Sequence, residues 1–85
     1  MMIKEFAMPK LGTTMTEGAV AEWYITIGDY VSAGEIIVSI ESNKSVVDVE
    51  STFSGYLRSI QVENGEVVPI GAVIAYFTDN MREPI

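Results

Sequence analysis

The chain has 85 residues, 48% of them hydrophobic, which is enough for one small domain with a modest core and argues against disorder. Twelve acidic and five basic residues give a net charge of −7, which argues against a nucleic-acid partner. Neither cysteine nor histidine is present, which excludes disulfides and thiol nucleophiles and removes the usual general base and the commonest metal ligand.

Short runs rich in β-branched residues follow one another along the chain, and no stretch has helical periodicity. The runs are separated by turns that contain glycine, a pattern typical of an all-β sandwich or barrel. The predicted strands are Ala19–Thr26, Ile36–Glu41, Val46–Glu50, Tyr56–Val62 and Val73–Thr78.

The two halves of the chain repeat at an offset of 37 residues. The repeat matches four pairs of positions in the first and second halves, which are Gly18 with Gly55, Gly28 with Gly65, Val31 with Val68 and Gly34 with Gly71. Apolar positions follow the same offset, and these are Val20 with Leu57, Trp23 with Ile60, Ile25 with Val62, Ile37 with Ile74 and Ile40 with Phe77. The repeat predicts a β domain with two-fold pseudo-symmetry whose turn glycines supply positive φ.

The spacing of the apolar residues also predicts a bulge or a bend in each half. Val20 to Trp23 and Leu57 to Ile60 are odd steps, whereas residues on one face of a regular strand are separated by even steps. An odd step between inward-facing residues means a bulge or a bend that changes which face of the strand points inward.

One lysine stands in the middle of a predicted hairpin. Four polar residues, Ser42 to Ser45, separate two alternating strands, and asparagine is favoured in such turns. Lys44 is therefore predicted at an exposed apex. Taken by itself, a lysine in such a turn is explained by solubility alone.

Four motifs in order resemble those of the lipoyl domains of 2-oxo acid dehydrogenase complexes, in particular the N-terminal domain of the acyltransferase component. The motifs are MPKLGTTMTEG from Met8, GDYVSAG from Gly28, ESNKS from Glu41 and VESTFSG from Val49. The resemblance covers residues 2 to 78, nearly the whole chain. It implies a flattened barrel of two four-stranded antiparallel sheets, with the lysine turn in one sheet and the termini in the other.

The resemblance also implies roles for individual residues. Lys44 matches the lysine that carries lipoate in amide linkage, and Glu41, Gly28 and Gly55 match residues that help the modifying enzyme to recognise it. The loop Leu11–Glu17, which includes Thr13 and Thr14, matches a loop that contributes to dehydrogenase recognition beside the lysine turn.

Two residues of the lysine turn depart from the family pattern. Asn43 stands in place of the usual aspartate before the lysine, and Ser45 in place of the usual alanine after it. The first change removes one charge from the surface presented to the dehydrogenase, so it affects the expected efficiency of acylation.

The implied function is that of a covalent carrier, not an enzyme, serving a 2-oxo acid or acetoin dehydrogenase complex. The implied partners are a lipoate ligase or a lipoyl or octanoyl transferase, a thiamin-diphosphate-dependent dehydrogenase, the acyltransferase core and dihydrolipoyl dehydrogenase. We expect residues 1–78 to form the lipoyl domain, monomeric in isolation, and residues 79–85 to form a tail or the start of a linker.

Three other interpretations stay open at the level of sequence. A biotin carrier shares the implied fold, although its lysine is flanked by apolar residues such as methionine. The glycine-cleavage carrier protein has a similar turn but is longer and has helices, and an unmodified docking barrel would leave the lysine inert. No signal peptide or membrane-spanning apolar run is evident. We therefore expect a protein of the cytoplasm, or of the mitochondrial matrix if it is a processed organelle protein, without a membrane partner.

Overall fold

The computed structural model describes residues 3–43 and 45–84, which form two antiparallel four-stranded sheets. The strands are β1 (Ile3–Ala7), β2 (Glu17–Trp23), β3 (Tyr30–Val31), β4 (Ile36–Ser42), β5 (Ser45–Glu50), β6 (Gly55–Ile60), β7 (Val67–Pro69) and β8 (Val73–Thr78). One sheet has the order β1-β8-β6-β3, and the other has the order β5-β4-β2-β7. The predicted fold is therefore confirmed, with the β4–β5 hairpin in one sheet and the first and last strands in the other. The described residues form no helix long and apolar enough to cross a membrane.

The five predicted strands correspond to β2, β4, β5, β6 and β8, but two of them were predicted too long. β2 ends at Trp23 because Asp29 accepts hydrogen bonds from the backbone and side chain of Thr26, which closes a turn. In the same way β6 ends at Ile60, before a turn in which Glu66 accepts from the Glu63 backbone. The strands β1, β3 and β7 were missed. β3 and β7 have only two and three residues, too few to show a clear alternation, and the two adjacent charged residues of β1 (IKEFA) interrupt its alternation.

The 37-residue repeat relates the two sheets. β2, β3 and β4 correspond to β6, β7 and β8, and each sheet contains strands from both halves of the chain. Gly28 and Gly65 have φ angles of 102° and 87°, so the predicted positive φ is confirmed in this pair of turns. The predicted bulge or bend in each half is confirmed as well, since the β2–β4 register shifts between Val20 and Glu22 and the β6–β8 register shifts at the equivalent position.

The core lies between the two sheets and takes equivalent residues from each. Its members share nearly complete burial, and they are Phe6, Met8, Met15, Val20, Val31, Ile37, Val38, Ile40, Leu57, Val62, Ile74, Ala75 and Phe77. Burial of apolar surface is the main force that holds two such sheets together. Because β4 is a central strand with four consecutive buried residues, Ile37 to Ile40, the hairpin that it begins is firmly attached to the core.

Two cations hold the segment after β8 against the sheet that contains β1. Lys4 binds the Asp79 carboxylate at 2.7 Å and donates to the Ser54 carbonyl at 2.8 Å. Arg58 donates to the Thr78 hydroxyl at 2.9 Å and to the Asn80 carbonyl at 3.3 Å. The domain boundary predicted after residue 78 stays a prediction, and β8 ends at that residue.

Candidate functional site

The β4–β5 hairpin has a two-residue turn. Ser42 pairs with Ser45, and Glu41 pairs with Val46, so that Asn43 and Lys44 alone connect the two strands. Asn43 has a φ of 48°, in the left-handed region that asparagine tolerates better than most residues. Primed two-residue turns, which require this region, match the twist of hairpin strands. The predicted hairpin is confirmed, whereas the predicted attachment residue, Lys44, lies outside the described residues.

Two shallow clefts meet at the turn and share Ser42 and Asn43 in their walls. The first has a volume of about 260 Å³, and its other lining residues are Glu17, Gly18, Ala19, Glu41 and Val67. The second has a volume of about 230 Å³, and its other lining residues are Leu11, Gly12, Thr14, Met15, Ser45 and Val47. The structure thus places Glu41 on one side of Asn43 and the predicted loop residues Leu11 and Thr14 on the other. Thr13 lines a neighbouring depression together with Lys10, Leu11 and Gly12.

The loop before β2 is fastened to the core by a methionine. The backbone N–H of Leu11 lies 3.2 Å from the Met15 sulfur, and the Met15 N–H donates to the Gly12 carbonyl at 3.3 Å. Met15 itself is buried, and a Cβ at Gly18 would lie 2.8 Å from its terminal methyl carbon. Met15 therefore positions the wall of the second cleft, and the absence of a side chain at Gly18 leaves space for the Met15 methyl group.

Sequence reasoning did not single out Met15 as a site residue. The available signal was its place in the MPKLGTTMTEG motif, which begins with Met8 and ends with Gly18. Met8 is buried beside the same glycine, with its sulfur 3.1 Å from the position of a Gly18 Cβ. The motif thus encodes the packing beneath the loop, and the exposed residues Leu11 to Thr14 lie above that packing.

Gly28 and Gly55 do not line either cleft. Gly28 donates its N–H to the Leu57 carbonyl at 2.8 Å, and Gly55 begins β6 beside β3. A Cβ at Gly55 would lie 2.9 Å from the Thr78 carbonyl oxygen, which is an unacceptable contact with backbone. Both glycines contact the sheet that does not contain the hairpin, where their contacts give them structural roles. Their predicted part in recognition by the modifying enzyme stays a prediction.

The outer face of the hairpin sheet carries a fixed carboxylate further from the turn. The Tyr24 hydroxyl donates to Asp48 on β5 at 2.9 Å. A hydrogen bond with Ser39 lowers the pKa of Tyr24, but the hydrogen bond and the charge of Asp48 act in the opposite direction, and the net pKa is raised. The phenol therefore stays protonated at neutral pH and keeps donating to Asp48.

A match to a protein-family model shows which family the chain belongs to. The model described as "Biotin-requiring enzyme", which covers biotin and lipoyl attachment domains, matches residues 4–77. The chain belongs to this biotin/lipoyl attachment family. The match extends from β1 to the penultimate residue of β8.

Curated relatives and a solved structure agree with the membership in the biotin/lipoyl attachment family. The chain is 43% identical over 81 residues to the dihydrolipoyllysine-residue acetyltransferase component 5 of the chloroplastic pyruvate dehydrogenase complex of Arabidopsis thaliana, covering 95% of this chain and 17% of the relative. It is 42% identical over 78 residues to the dihydrolipoyllysine-residue acetyltransferase component of the acetoin cleaving system of Bacillus subtilis, covering 92% of this chain and 20% of the relative. The chain thus spans a fifth or less of the length of these relatives.

The solved lipoyl domain of the 2-oxoglutarate dehydrogenase complex of Azotobacter vinelandii is similar over almost its whole length. Its TM-score is 0.70 at 28% identity, covering 87% of this chain and 94% of that domain. The predicted resemblance to lipoyl domains of acyltransferase components is therefore confirmed.

Proposed function

We propose that the chain is a covalent lipoate carrier in which Lys44 is the attachment residue. The observation that carries the proposal is the two-residue turn between Ser42 and Ser45, which contains a lysine at the end of a central strand. The relatives support it, since the names of those compared are those of dihydrolipoyllysine acetyltransferase components. We also propose that the chain is part of a longer acyltransferase.

The residues around the turn fit such a group. Attachment forms an amide between the lysine Nζ and the carboxyl carbon of an activated acyl donor, an acyl adenylate or an acyl-carrier thioester, while the amine loses a proton and the donor loses its leaving group. The turn supplies the amine on a short, well-paired hairpin, and Leu11, Met15 and Val47 give the second cleft an apolar wall. When bound, lipoate supplies a dithiolane that accepts an acyl group together with two electrons.

The protein's contribution to turnover is positional. An attached arm delivers its acyl group between active sites without diffusing away, so its effective concentration at each site is high. The domain provides a rigid platform and a specific address, while partner enzymes provide the chemistry. We propose as partners a thiamin-diphosphate-dependent dehydrogenase, the acyltransferase core and dihydrolipoyl dehydrogenase, together with the ligase or transferase that modifies Lys44.

The dehydrogenase is expected to contact the second cleft. Leu11, Thr14 and Ser45 line that cleft with Asn43, and Thr13 is adjacent to it. Since relatives include a chloroplastic and a bacterial protein, we propose the cytoplasm or an organelle matrix as the compartment.

Biotin is the alternative modification, because the matched family includes biotin-requiring enzymes. The polar residues Asn43 and Ser45 beside the lysine favour lipoate. Expression in lipoate-supplied cells followed by intact-mass measurement distinguishes the two groups, with the Lys44→Arg variant as the control. We expect a lipoyl increment that maps to residue 44 and is lost in the variant, because arginine offers no primary amine. A biotinyl increment, an unmodified chain, or lipoate on Lys4 or Lys10 would contradict the proposal.

A further inference from the structure

The two sheets carry opposite kinds of charge. Among the described residues, the strands of the hairpin sheet contain five carboxylates and neither lysine nor arginine, and the carboxylates are those of Glu17, Glu22, Glu41, Asp48 and Glu50. The strands of the other sheet contain Lys4 and Arg58 and one carboxylate, Glu5. Most of the acidic excess of the strands is therefore concentrated on the sheet that ends in the Lys44 turn.

Two exposed valines lie on the same sheet, on either side of Glu41. The pairing of β7, β2, β4 and β5 puts Val67, Ala19, Glu41 and Val46 opposite one another in a single cross-strand row. Residues directly opposite in antiparallel strands lie on the same face of a sheet. Val67 is 58% exposed and Val46 is 59% exposed, and both are large hydrophobic residues. We call these four residues the valine–glutamate row.

The valine–glutamate row is continuous with the turn. The first cleft is lined by Val67, Ala19 and Glu41 from the row and by Ser42 and Asn43 from the turn. Glu17 lies in the same cleft, while Glu22 pairs with Ser39, two positions along β4 from Glu41. A partner that covered the turn from this side would bury both valines and meet carboxylates on their flanks.

The chemistry of modification indicates which partner needs this surface. To form the amide, the modifying enzyme must bring the backbone of the turn to the mouth of its own active site, because the reacting amine belongs to the turn itself. The dehydrogenase reacts at the far end of the arm, and its proposed contact is the second cleft, on the other side of Asn43. The first cleft, which contains Glu41, is therefore the side of the turn that suits the modifying enzyme.

We propose that the valine–glutamate row and its flanking carboxylates are the docking face for the enzyme that attaches lipoate. Its contact surface would present lysine or arginine side chains around an apolar patch that receives Val46 and Val67. Buried apolar anchors supply most of the energy of such interfaces, while charges at the rim accelerate the encounter. This inference rests on the proposed function and adds Val46, Val67 and Glu22 to the predicted role of Glu41.

The test measures the steady-state modification of the full 85-residue chain by a lipoate ligase. Val46→Thr and Val67→Thr keep shape and strand propensity but replace a methyl group by a hydroxyl group, and Ile27→Thr is the control, since Ile27 is 60% exposed in the turn between β2 and β3. We expect each valine variant to raise KM about fivefold with kcat nearly unchanged, as loss of uniform binding does. The control is expected to match the wild type.

A second pair of variants tests the charge. Glu22→Gln lies on the hairpin sheet, and Glu5→Gln is its control on the other sheet, where Glu5 pairs with Tyr76. Glu22→Gln is expected to lower kcat/KM about twofold at low salt and to make it less dependent on salt, as expected for a charge at the rim of an interface. Glu5→Gln is expected to change neither quantity.

A competition experiment distinguishes an effect on docking from an effect on the chemical step. The Lys44→Arg chain should inhibit modification of the wild type competitively, and the double variants Lys44→Arg/Val67→Thr and Lys44→Arg/Val46→Thr should inhibit about fivefold more weakly. Equal inhibition by all three chains, or valine variants modified with wild-type KM, would overturn the docking face while leaving the carrier function intact. A wild-type chain that the ligase never modifies would overturn both.

Discussion

Gly28 donates its backbone N–H to the carbonyl of Leu57 at 2.8 Å, and the equivalent residue in the other half, Gly65, donates to the carbonyl of Val20 at 2.9 Å. Each hydrogen bond joins the turn that follows a strand of one sheet to a central strand of the other sheet. Both donors are glycines with positive φ. The glycine repeat in the sequence therefore corresponds to a contact between the sheets that occurs once in each half of the chain.

The first prediction is that Gly28→Ala and Gly65→Ala each lower the free energy of unfolding by about 1 to 2 kcal/mol. The φ angles of 102° and 87° are unfavourable for a residue with a Cβ, although, apart from the adjacent residues, no described residue has an atom within 4 Å of the added carbon. Gly12→Ala is the control, since its Cβ also meets nothing and its φ lies outside that region. Urea denaturation followed by the fluorescence of Trp23, which packs against the core, measures the difference. Equal stability of the three variants would refute the argument from φ.

The second prediction separates steric from conformational cost. Gly55→Ala should lower the free energy of unfolding by about 2 to 3 kcal/mol, which is more than the loss expected for Gly28→Ala. The reason is that its Cβ would lie 2.9 Å from a backbone oxygen of β8. Relief of that contact would need a shift of the backbone at Gly55 or at Thr78. The same denaturation experiment ranks the two variants. If lipoylation of Gly55→Ala falls only in proportion to the unfolded fraction, the glycine acts through the fold, and its predicted place in recognition is removed.

Much of the fold was predictable because the signals came in pairs. The odd steps at Val20 and Leu57 predicted a bulge or a bend in each half, and the glycine spacing predicted the two-fold relationship. The strand β3 was not predictable, because its two residues pair with β6 only through the tertiary fold. In the same way, spacing in the sequence could not show that Gly28 and Gly55 contact the sheet opposite the hairpin, nor that Met15 supports the loop of Leu11.

The third prediction concerns the charge at the turn. Asn43→Asp should leave stability almost unchanged, because aspartate also tolerates the φ of 48° observed at this position. The added charge should raise kcat/KM for acylation by a dehydrogenase whose usual substrate has aspartate before the lysine. Asn43→Gln is the matched control, since it keeps the amide without adding charge. Equal kcat/KM for the aspartate variant and the wild type would exclude Asn43 from the surface that the dehydrogenase recognises.

The last prediction tests whether the modifying enzyme recognises the position of the lysine or merely an available amine. In the double variant Asn43→Lys/Lys44→Asn, composition, net charge and turn length are unchanged. Lysine at the φ of residue 43 costs about 1 kcal/mol, so the hairpin should still form on its central strand, with a native-like circular dichroism spectrum.

The amine of the swapped variant would nevertheless start from a residue whose side chain projects in a different direction. An enzyme docked on Glu41 and its neighbours would therefore meet the amine several ångströms from its productive position, and a shift of about 1 Å can already cost roughly 100-fold in rate. We expect the rate of lipoylation, measured by intact mass over time, to fall at least 100-fold. The single variant Asn43→Lys, which keeps Lys44, is the control and should be modified once, at residue 44. Modification of the swapped chain at a rate similar to that of the control would mean that any amine in this turn suffices. The modifying enzyme would then not recognise the position of the lysine in the hairpin.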